Sequence, residues 1–275
     1  MAQALQTELT GLGEVHALGR SRLDLAHPEQ LREPLRQLAP DLIVNAAAYT
    51  AVDQAESEPN LAFAINAESP RVLAEEAARL GVPLIHYSTD YVFDGAKPTP
   101  YDEDDTPNPL GVYGASKLAG ERAIAAVGGD HLILRTSWVY SLHGRNFLLT
   151  MQRLLQEREQ LRVVDDQIGA PTWAVSLASS TRALIERWQA GQAGAWGTYH
   201  LTAQGHISWF GFAQAIGQHL KAQGLPCAEL LPIPSSDYPT PAQRPLNSRL
   251  NCSRLAQQWH VTLPDWRQAL IDCLK

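Results

Sequence analysis

No apolar run in this sequence reaches the roughly 18 to 20 residues that cross a bilayer, and the opening MAQALQTELT has neither the basic start nor the apolar centre of a secretory signal. A membrane span is excluded, and a cytoplasmic location is the expectation. An excess of positive charge is missing too. The formal net charge is −7, and Lys and Arg are scattered rather than clustered, so neither nucleic acid nor an anionic membrane surface is an expected partner. Cysteine is scarce: Cys227, Cys252 and Cys273 are far apart, odd in number and without metal-ligand spacing, which reads as reduced packing thiols. The nine histidines form no HExxH pair, so no metal site is expected. Repeats, low-complexity tracts and heptad seams are absent. What is present is 45% hydrophobic and 19% charged residues over 275 positions, a globular composition large enough for one large or two moderate domains.

Along the chain, helical and extended patterns alternate. Met1 to Thr10 has Ala4, Leu5 and Leu9 at helical spacing and stops at Gly11 and Gly13. Glu14 to Leu18 reads as a strand ending in the loop Gly19-Arg20-Ser21-Arg22. Asp24 to Pro40 is helical, with Pro28 suited to a first turn and Pro34 expected to kink or split it. Asp41 to Ala48 is a buried-strand run, Asn60 to Leu80 a helix stopped by Gly81, and Val82 to Ser88 a further strand. Asp94 to Pro109 carries four prolines and five acidic residues, as in a solvated loop. Helix Gly111 to Ala126, strand Asp130 to Arg135 and helix Arg145 to Glu159 follow. This rhythm predicts an α/β fold with a doubly wound parallel sheet. After about residue 160 it changes, through turn-rich Val164 to Pro171, a helix from Val175 to Ala190, a short run Thr198 to Thr202 and a Pro-rich stretch Pro232 to Pro245. A first domain over 1–160 and a smaller substrate domain over 161–275, with a segment returning to the first, is the expected division.

Tyr113 and Lys117 lie four apart on one helix face. A phenol with an ordinary pKa of about 10 becomes a better acid–base group beside an ammonium that stabilises its anion. Ser88-Thr89-Asp90 ends a central strand, where open parallel sheets bind their ligands, and a hydroxyl there can hold a substrate carbonyl against the phenol.

These residues, together with VNAAAYTAVDQAESEP, HYSTDYVFDG, VYGASKLAGE, RTSWVY, DQIGAPT and TPAQRPLNSRL in order along the chain, resemble the extended branch of the short-chain dehydrogenase/reductase superfamily, and within it the dTDP-4-dehydrorhamnose reductase family. The resemblance covers essentially the whole chain. It implies a Rossmann-type sheet and reduction of the 4-keto group of a dTDP-linked 4-keto-6-deoxy sugar. Tyr113 would give the proton while NADPH gives hydride. Lys117 would hold the nicotinamide ribose and depress the phenol pKa, and Thr89 would hydrogen-bond the reacting oxygen. It further implies that Ala48, Tyr49, Thr50 and Tyr87 line the cofactor groove, that Asp24 and Leu25 lie near the adenine, and that Asp90 and Trp138 meet the sugar. Arg244 would contact the diphosphate, its guanidinium pairing with phosphate oxygens, with Asn247 and Ser248 adding hydrogen bonds. Members of the family can form homodimers aided by Mg²⁺, although no ligand set in this sequence marks the metal.

Two departures from the family pattern stand out. The family's first strand and glycine-rich turn, which cradle the pyrophosphate, would precede Met1; a translation start further upstream is the expected explanation. After Glu14 to Leu18 the sequence offers Gly19-Arg20-Ser21 where NAD enzymes present a carboxylate, so Arg20 is expected to meet a 2′-phosphate and to favour NADPH over NADH. Tyr91 follows Asp90 where nucleotide-sugar dehydratases carry glutamate, which argues for simple carbonyl reduction. An epimerase, and a non-catalytic subunit like the methionine adenosyltransferase regulatory β subunit, are the alternatives; cofactor turnover separates the latter.

Overall fold

The computed structural model describes residues 1–275. Its helices, in chain order, are α1 (Ala2–Glu8), α2 (Arg32–Leu38), α3 (Val52–Ala55), α4 (Pro59–Phe63), α5 (Ser69–Leu80), α6 (Val112–Val127), α7 (Phe147–Glu157), α8 (Ala174–Gln189), α9 (Trp209–Ala222), α10 (Ser253–Trp259) and α11 (Trp266–Cys273). The strands are β1 (Ile43–Asn45), β2 (Leu84–Thr89), β3 (His131–Thr136), β4 (Val139–Tyr140), β5 (Gln160–Val164), β6 (Ile168–Gly169), β7 (Thr172–Trp173), β8 (Gly197–His200), β9 (Ile207–Ser208) and β10 (Glu229–Ile233).

The apolar runs form a parallel sheet of order β1-β2-β3-β8, helices covering both faces. All six residues of β2 are buried, as befits a central strand. Side chains alternate between faces. Leu84 and Ile133 pack with Val72, Leu73 and Ile124 of α5 and α6, while Ile85, Leu132 and Leu134 pack with Leu5 of α1 and Leu177 and Ile185 of α8. The Rossmann-type, doubly wound expectation is met.

Residues 161–275 are shared between two cores. α8, β8 and α10 belong to the sheet's second face, with Trp259 fully buried there. A separate core joins Leu148 and Leu155 of α7 to Phe212 and Ile216 of α9 and Trp266 of α11, beside the parallel pair β5–β10.

α6 is pressed onto its neighbours through glycine. A Cβ on Gly114 would lie 2.1 Å from the Tyr91 carbonyl oxygen, and one on Gly120 2.0 Å from that of Asn66, so only glycine fits. Asn66 sits in a π turn, Ala64–Glu68, between α4 and α5. Pro70, having no N–H to return to the Asn66 carbonyl, follows where this ladder widens.

Three expectations are corrected. Glu14 to Leu18 is irregular, and Val15 is exposed, because the sheet ends at β1 and no strand lies beside the segment to pair with it. The Asp41 to Ala48 strand shrinks to three residues. The loop Asp94 to Pro109 is pinned rather than freely solvated. Tyr101 is buried, stacks on Phe93 at 4.2 Å, donates its N–H to the Arg249 carbonyl at 2.8 Å and accepts the Asn251 N–H at 2.8 Å. By contrast Asp24 to Pro40 divides as expected, into a 3₁₀ turn at Pro28–Gln30 and α2, with Pro34 in the first turn where its missing N–H costs nothing.

Candidate active site

Thr89 ends β2 in register with Thr136 of β3, and its hydroxyl oxygen caps the turn Asp90–Val92 by accepting the Tyr91 N–H at 3.1 Å. The same hydroxyl donates to Asp90 Oδ1 at 3.0 Å. Asp90 is buried with Oδ2 unpartnered, and burial pushes its carboxyl up to about 6 against the pull of hydrogen bonds from Ser248 and Thr89.

Tyr113 stands in the first turn of α6. Glu56 accepts the Val112 N–H at 2.8 Å there, an anion at the positive end of the helix. The phenol faces Thr89, and the Tyr91 ring meets the Tyr113 ring edge-on at 5.5 Å. One turn on, Lys117 is fully buried; its Nζ donates to the Tyr87 carbonyl at 2.6 Å and lies 3.1 Å from His86 Nε2. Burial lowers its amine to about 8, opposed by the charge of Glu121.

The expected depression of the phenol by Lys117 is absent. Burial pushes Tyr113 upward, only the Thr89 hydrogen bond opposes it, and the charge of Asp90 adds to the rise. The Lys117 nitrogen is bonded to the Tyr87 carbonyl and His86 on the strand behind, so desolvation decides the sign. A phenol held protonated suits a proton donor, the role that carbonyl reduction requires.

Arg244 joins this site. It donates to Asp53 Oδ2 at 2.7 Å and to the Tyr91 hydroxyl at 3.1 Å, and Asp53 also accepts the Ala242 N–H at 3.2 Å. Beside them lies a small recess of ≈ 10 Å³ whose wall includes Tyr91, Tyr113, Gly114, Ala242, Gln243 and Pro245. Trp138 follows β3 with φ of 49°, a left-handed backbone unusual for a bulky residue, and stacks on Trp209 at 3.5 Å and 7°. A Cβ on Gly169 would strike the Trp138 ring at 2.5 Å, so glycine makes room for the indole.

Three expected contacts are corrected. Asn247 spends its amide on the chain: Nδ2 donates to the carbonyls of Lys97 and Thr99 at 2.6 and 2.8 Å, and Oδ1 accepts from the Arg249 backbone and guanidinium. It is a staple for the loop. Tyr87 points to the opposite face of β2 from His86, with its hydroxyl on Thr181 of α8, so only its carbonyl serves the site. Leu25 is buried in the core under α5, its carbonyl taking the Ser69 hydroxyl at 2.7 Å. Ser248, in turn, lies against Asp90.

On the cofactor side, Ala48 and Tyr49 are partly exposed and Thr50 exposed. Arg20 is 79% exposed and donates Nε to Asp24 Oδ2 at 3.1 Å, leaving both Nη groups free. Asn66, unnoticed in the sequence, binds Tyr49 through both its amide oxygen (2.9 Å) and nitrogen (3.1 Å), and donates to Ser116 Oγ at 3.0 Å. The segment expected to line a cofactor groove and the helix bearing Tyr113 are thereby one unit. Also unnoticed were Asp53 and the pair Glu121–Arg135, a buried salt bridge of 2.7 Å with Ser88 donating to the same carboxylate. Acid four residues beyond Lys117 in SKLAGE and arginine before TSW were the available signals. No group of three or more His, Cys, Asp or Glu side chains is arranged to hold a metal ion, and no helix is long and apolar enough to cross a membrane.

For a nicotinamide cofactor the donor set fits at one end: Lys117 has committed two directions, to Tyr87 and His86, and in either protonation state keeps one N–H for a ribose hydroxyl. Residues 1–275 match the model of a family described as RmlD substrate binding domain. The chain is similar to the dTDP-4-dehydrorhamnose reductase of Burkholderia thailandensis, at 48% identity over 278 residues covering 98% of this chain and 93% of the relative. With the enzyme of that name from Escherichia coli K12 the identity is 48% over 246 residues, 89% and 82% of the two chains. Among solved structures, dTDP-4-dehydrorhamnose reductase from Bacillus anthracis in complex with NADP superposes with a TM-score of 0.89 at 35% identity, covering 98% and 93%.

Proposed function

From the premise that the chain belongs to the RmlD substrate binding domain family, we propose that it is an oxidoreductase that reduces the 4-keto group of dTDP-4-dehydro-6-deoxy-L-mannose to give dTDP-L-rhamnose, using NADPH. The observation that carries this reading is a protonated phenol, Tyr113, facing the Thr89 hydroxyl and lining a small recess, with a buried amine one helical turn behind.

Thr89, its hydroxyl turning from Asp90, and Tyr113 both donate to the ketone oxygen and polarise it. NADPH, when bound, would supply the hydride for carbon 4. The Tyr113 O–H bond breaks toward the developing alkoxide, and the proton ends on the sugar hydroxyl. Lys117 would hold a ribose hydroxyl through its uncommitted N–H, and in its ammonium form steadies the phenolate until a new proton arrives. Asp90, with one buried oxygen unpartnered, takes a sugar hydroxyl as donor. Arg244 turns from Asp53 toward the diphosphate, and Trp138, braced by Trp209, forms a wall for the sugar. Arg20 meets the 2′-phosphate of NADPH with its free Nη groups. Mg²⁺ has no part in this reading.

The test is turnover: full-length protein mixed with NADPH and the dTDP-linked 4-keto sugar, followed by loss of the reduced-nicotinamide absorbance and identification of the product. Sugar-dependent oxidation with formation of dTDP-L-rhamnose is expected. A folded, cofactor-bound protein that does not turn over contradicts the proposal and favours a regulatory subunit.

A further inference from the structure

Behind Lys117 runs a row of polar groups closed off from solvent. Asn45 on β1, His86 on β2 and Lys117 on α6 are 5%, 0% and 1% exposed. The Ala47 N–H donates to Asn45 Oδ1 at 3.2 Å, Asn45 Nδ2 lies 3.0 Å from His86 Nδ1, and His86 Nε2 lies 3.1 Å from Lys117 Nζ. Burial first, and the Lys117 charge second, hold His86 well below the usual imidazole range, so the ring is neutral with a single proton.

Donor counting leaves two arrangements. While Asn45 keeps its oxygen on Ala47, its amide N–H donates to His86 Nδ1; the ring proton is then on Nε2 and needs a lone pair on Lys117, hence a neutral amine. An ammonium at Lys117 instead needs a bare Nε2, a proton on Nδ1 and an Asn45 amide turned around, which sets two donors, the amide NH₂ and the Ala47 N–H, against each other. The bonds in the structure are those of the first arrangement.

We propose that Asn45 and His86 are positioning residues that fix the direction of the Lys117 amine and favour its neutral form. Other groups act on the same nitrogen. Glu121, from one turn further along α6, favours the ammonium, and its charge is blunted by Arg135 of β3. The Tyr87 carbonyl on β2 accepts from Lys117, and Tyr113 lies one turn earlier on α6. The use of this poise in turnover rests on the reductase reading; the protonation chemistry itself does not.

The experiment uses the full chain without cofactor. With lysine labelled at Cε, only four lysines give signals, and Lys117 is identified by the signal lost in Lys117→Met. In the unaltered protein its titration midpoint is expected near 8. Asn45→Asp accepts the Nδ1 proton and leaves Nε2 bare, while His86→Gln can turn a carbonyl to Lys117; each should favour the ammonium at least 10-fold, moving the midpoint up by a unit or more. Long-range nitrogen–proton spectra should place the His86 proton on Nε2 above the midpoint. The Lys117-dependent limb of the pH profile of kcat/KM for NADPH-driven reduction should shift the same way. If Asn45→Asp does not fold, His86→Gln decides alone. A midpoint that neither variant moves, or a His86 proton on Nδ1 throughout, overturns the inference. Shifts as expected in a protein that does not reduce the sugar sustain it while removing the reductase reading.

Discussion

The two ends of the proposed cofactor site are built in opposite ways. At the nicotinamide end, Thr89, Lys117, His86 and Glu121 are buried and each is hydrogen-bonded, Thr89 to Asp90, Lys117 to His86 and Glu121 to Ser88, on a central strand and a long helix. At the adenine end, residues 14–22 form no strand, and Arg20 stands in solvent with a single carboxylate partner. Chemistry demands fixed geometry and low dielectric, which only a packed sheet supplies; choice between two cofactors needs one charge within reach of a phosphate, which a surface side chain supplies. Substitutions at the first end should therefore cost fold or rate, and those at the second only preference.

The largest effect is expected from Glu121→Gln. Removing one partner of a buried pair leaves Arg135 uncompensated, at a cost of about 3–5 kcal/mol; denaturant unfolding measures it, and a loss under 1 kcal/mol would show that water reaches the pair. Next is Arg244→Ala, which should raise the KM for the sugar nucleotide ~10-fold or more with kcat little changed, since a diphosphate contact binds ground and transition states alike. An unchanged KM would detach Arg244 from the substrate. Asp90→Asn should act through pH. The folded-state pKa, about 6, lies above the ordinary carboxyl value of 3.8, so the folded form holds the extra proton and stability falls as pH rises from about 4 to 6. The variant should lack that fall and melt higher than the parent at neutral pH; a parallel slope would contradict the burial argument. Smallest is Arg20→Ala, expected to lower the NADPH-to-NADH rate ratio severalfold without altering the melting temperature. An unaltered ratio would erase the contrast between the ends.

The alternation of apolar runs with helical spacing made the doubly wound sheet legible, because each run carries its own period. Glu14 to Leu18 misled because a strand is a property of a pair, and the composition of one member says nothing about whether the other lies beside it. The triad of Thr89, Tyr113 and Lys117 was legible from spacing and from its place at a strand end. The upward shift of the phenol was not, since it depends on how much of the ring is removed from water, a three-dimensional quantity. The side chain of Tyr87 was misplaced for a simpler reason: on a strand buried on both faces, residue type does not report which face a residue takes. Leu25 lies in a turn, and its packing under α5 is a tertiary contact that its neighbours in sequence do not report. Asn247 had the right chemistry for a ligand but found its partners in the loop at 97–99.

The central claim, that Tyr113 is a protonated acid aimed at a ketone, is tested most directly by Tyr113→Phe in single turnover with NADPH and sugar prebound. The hydroxyl alone is deleted, so fold and NADPH affinity should be retained while the hydride-transfer rate falls by ~10²-fold or more. A rate within a few-fold of the parent would place the proton donor elsewhere and contradict the assignment.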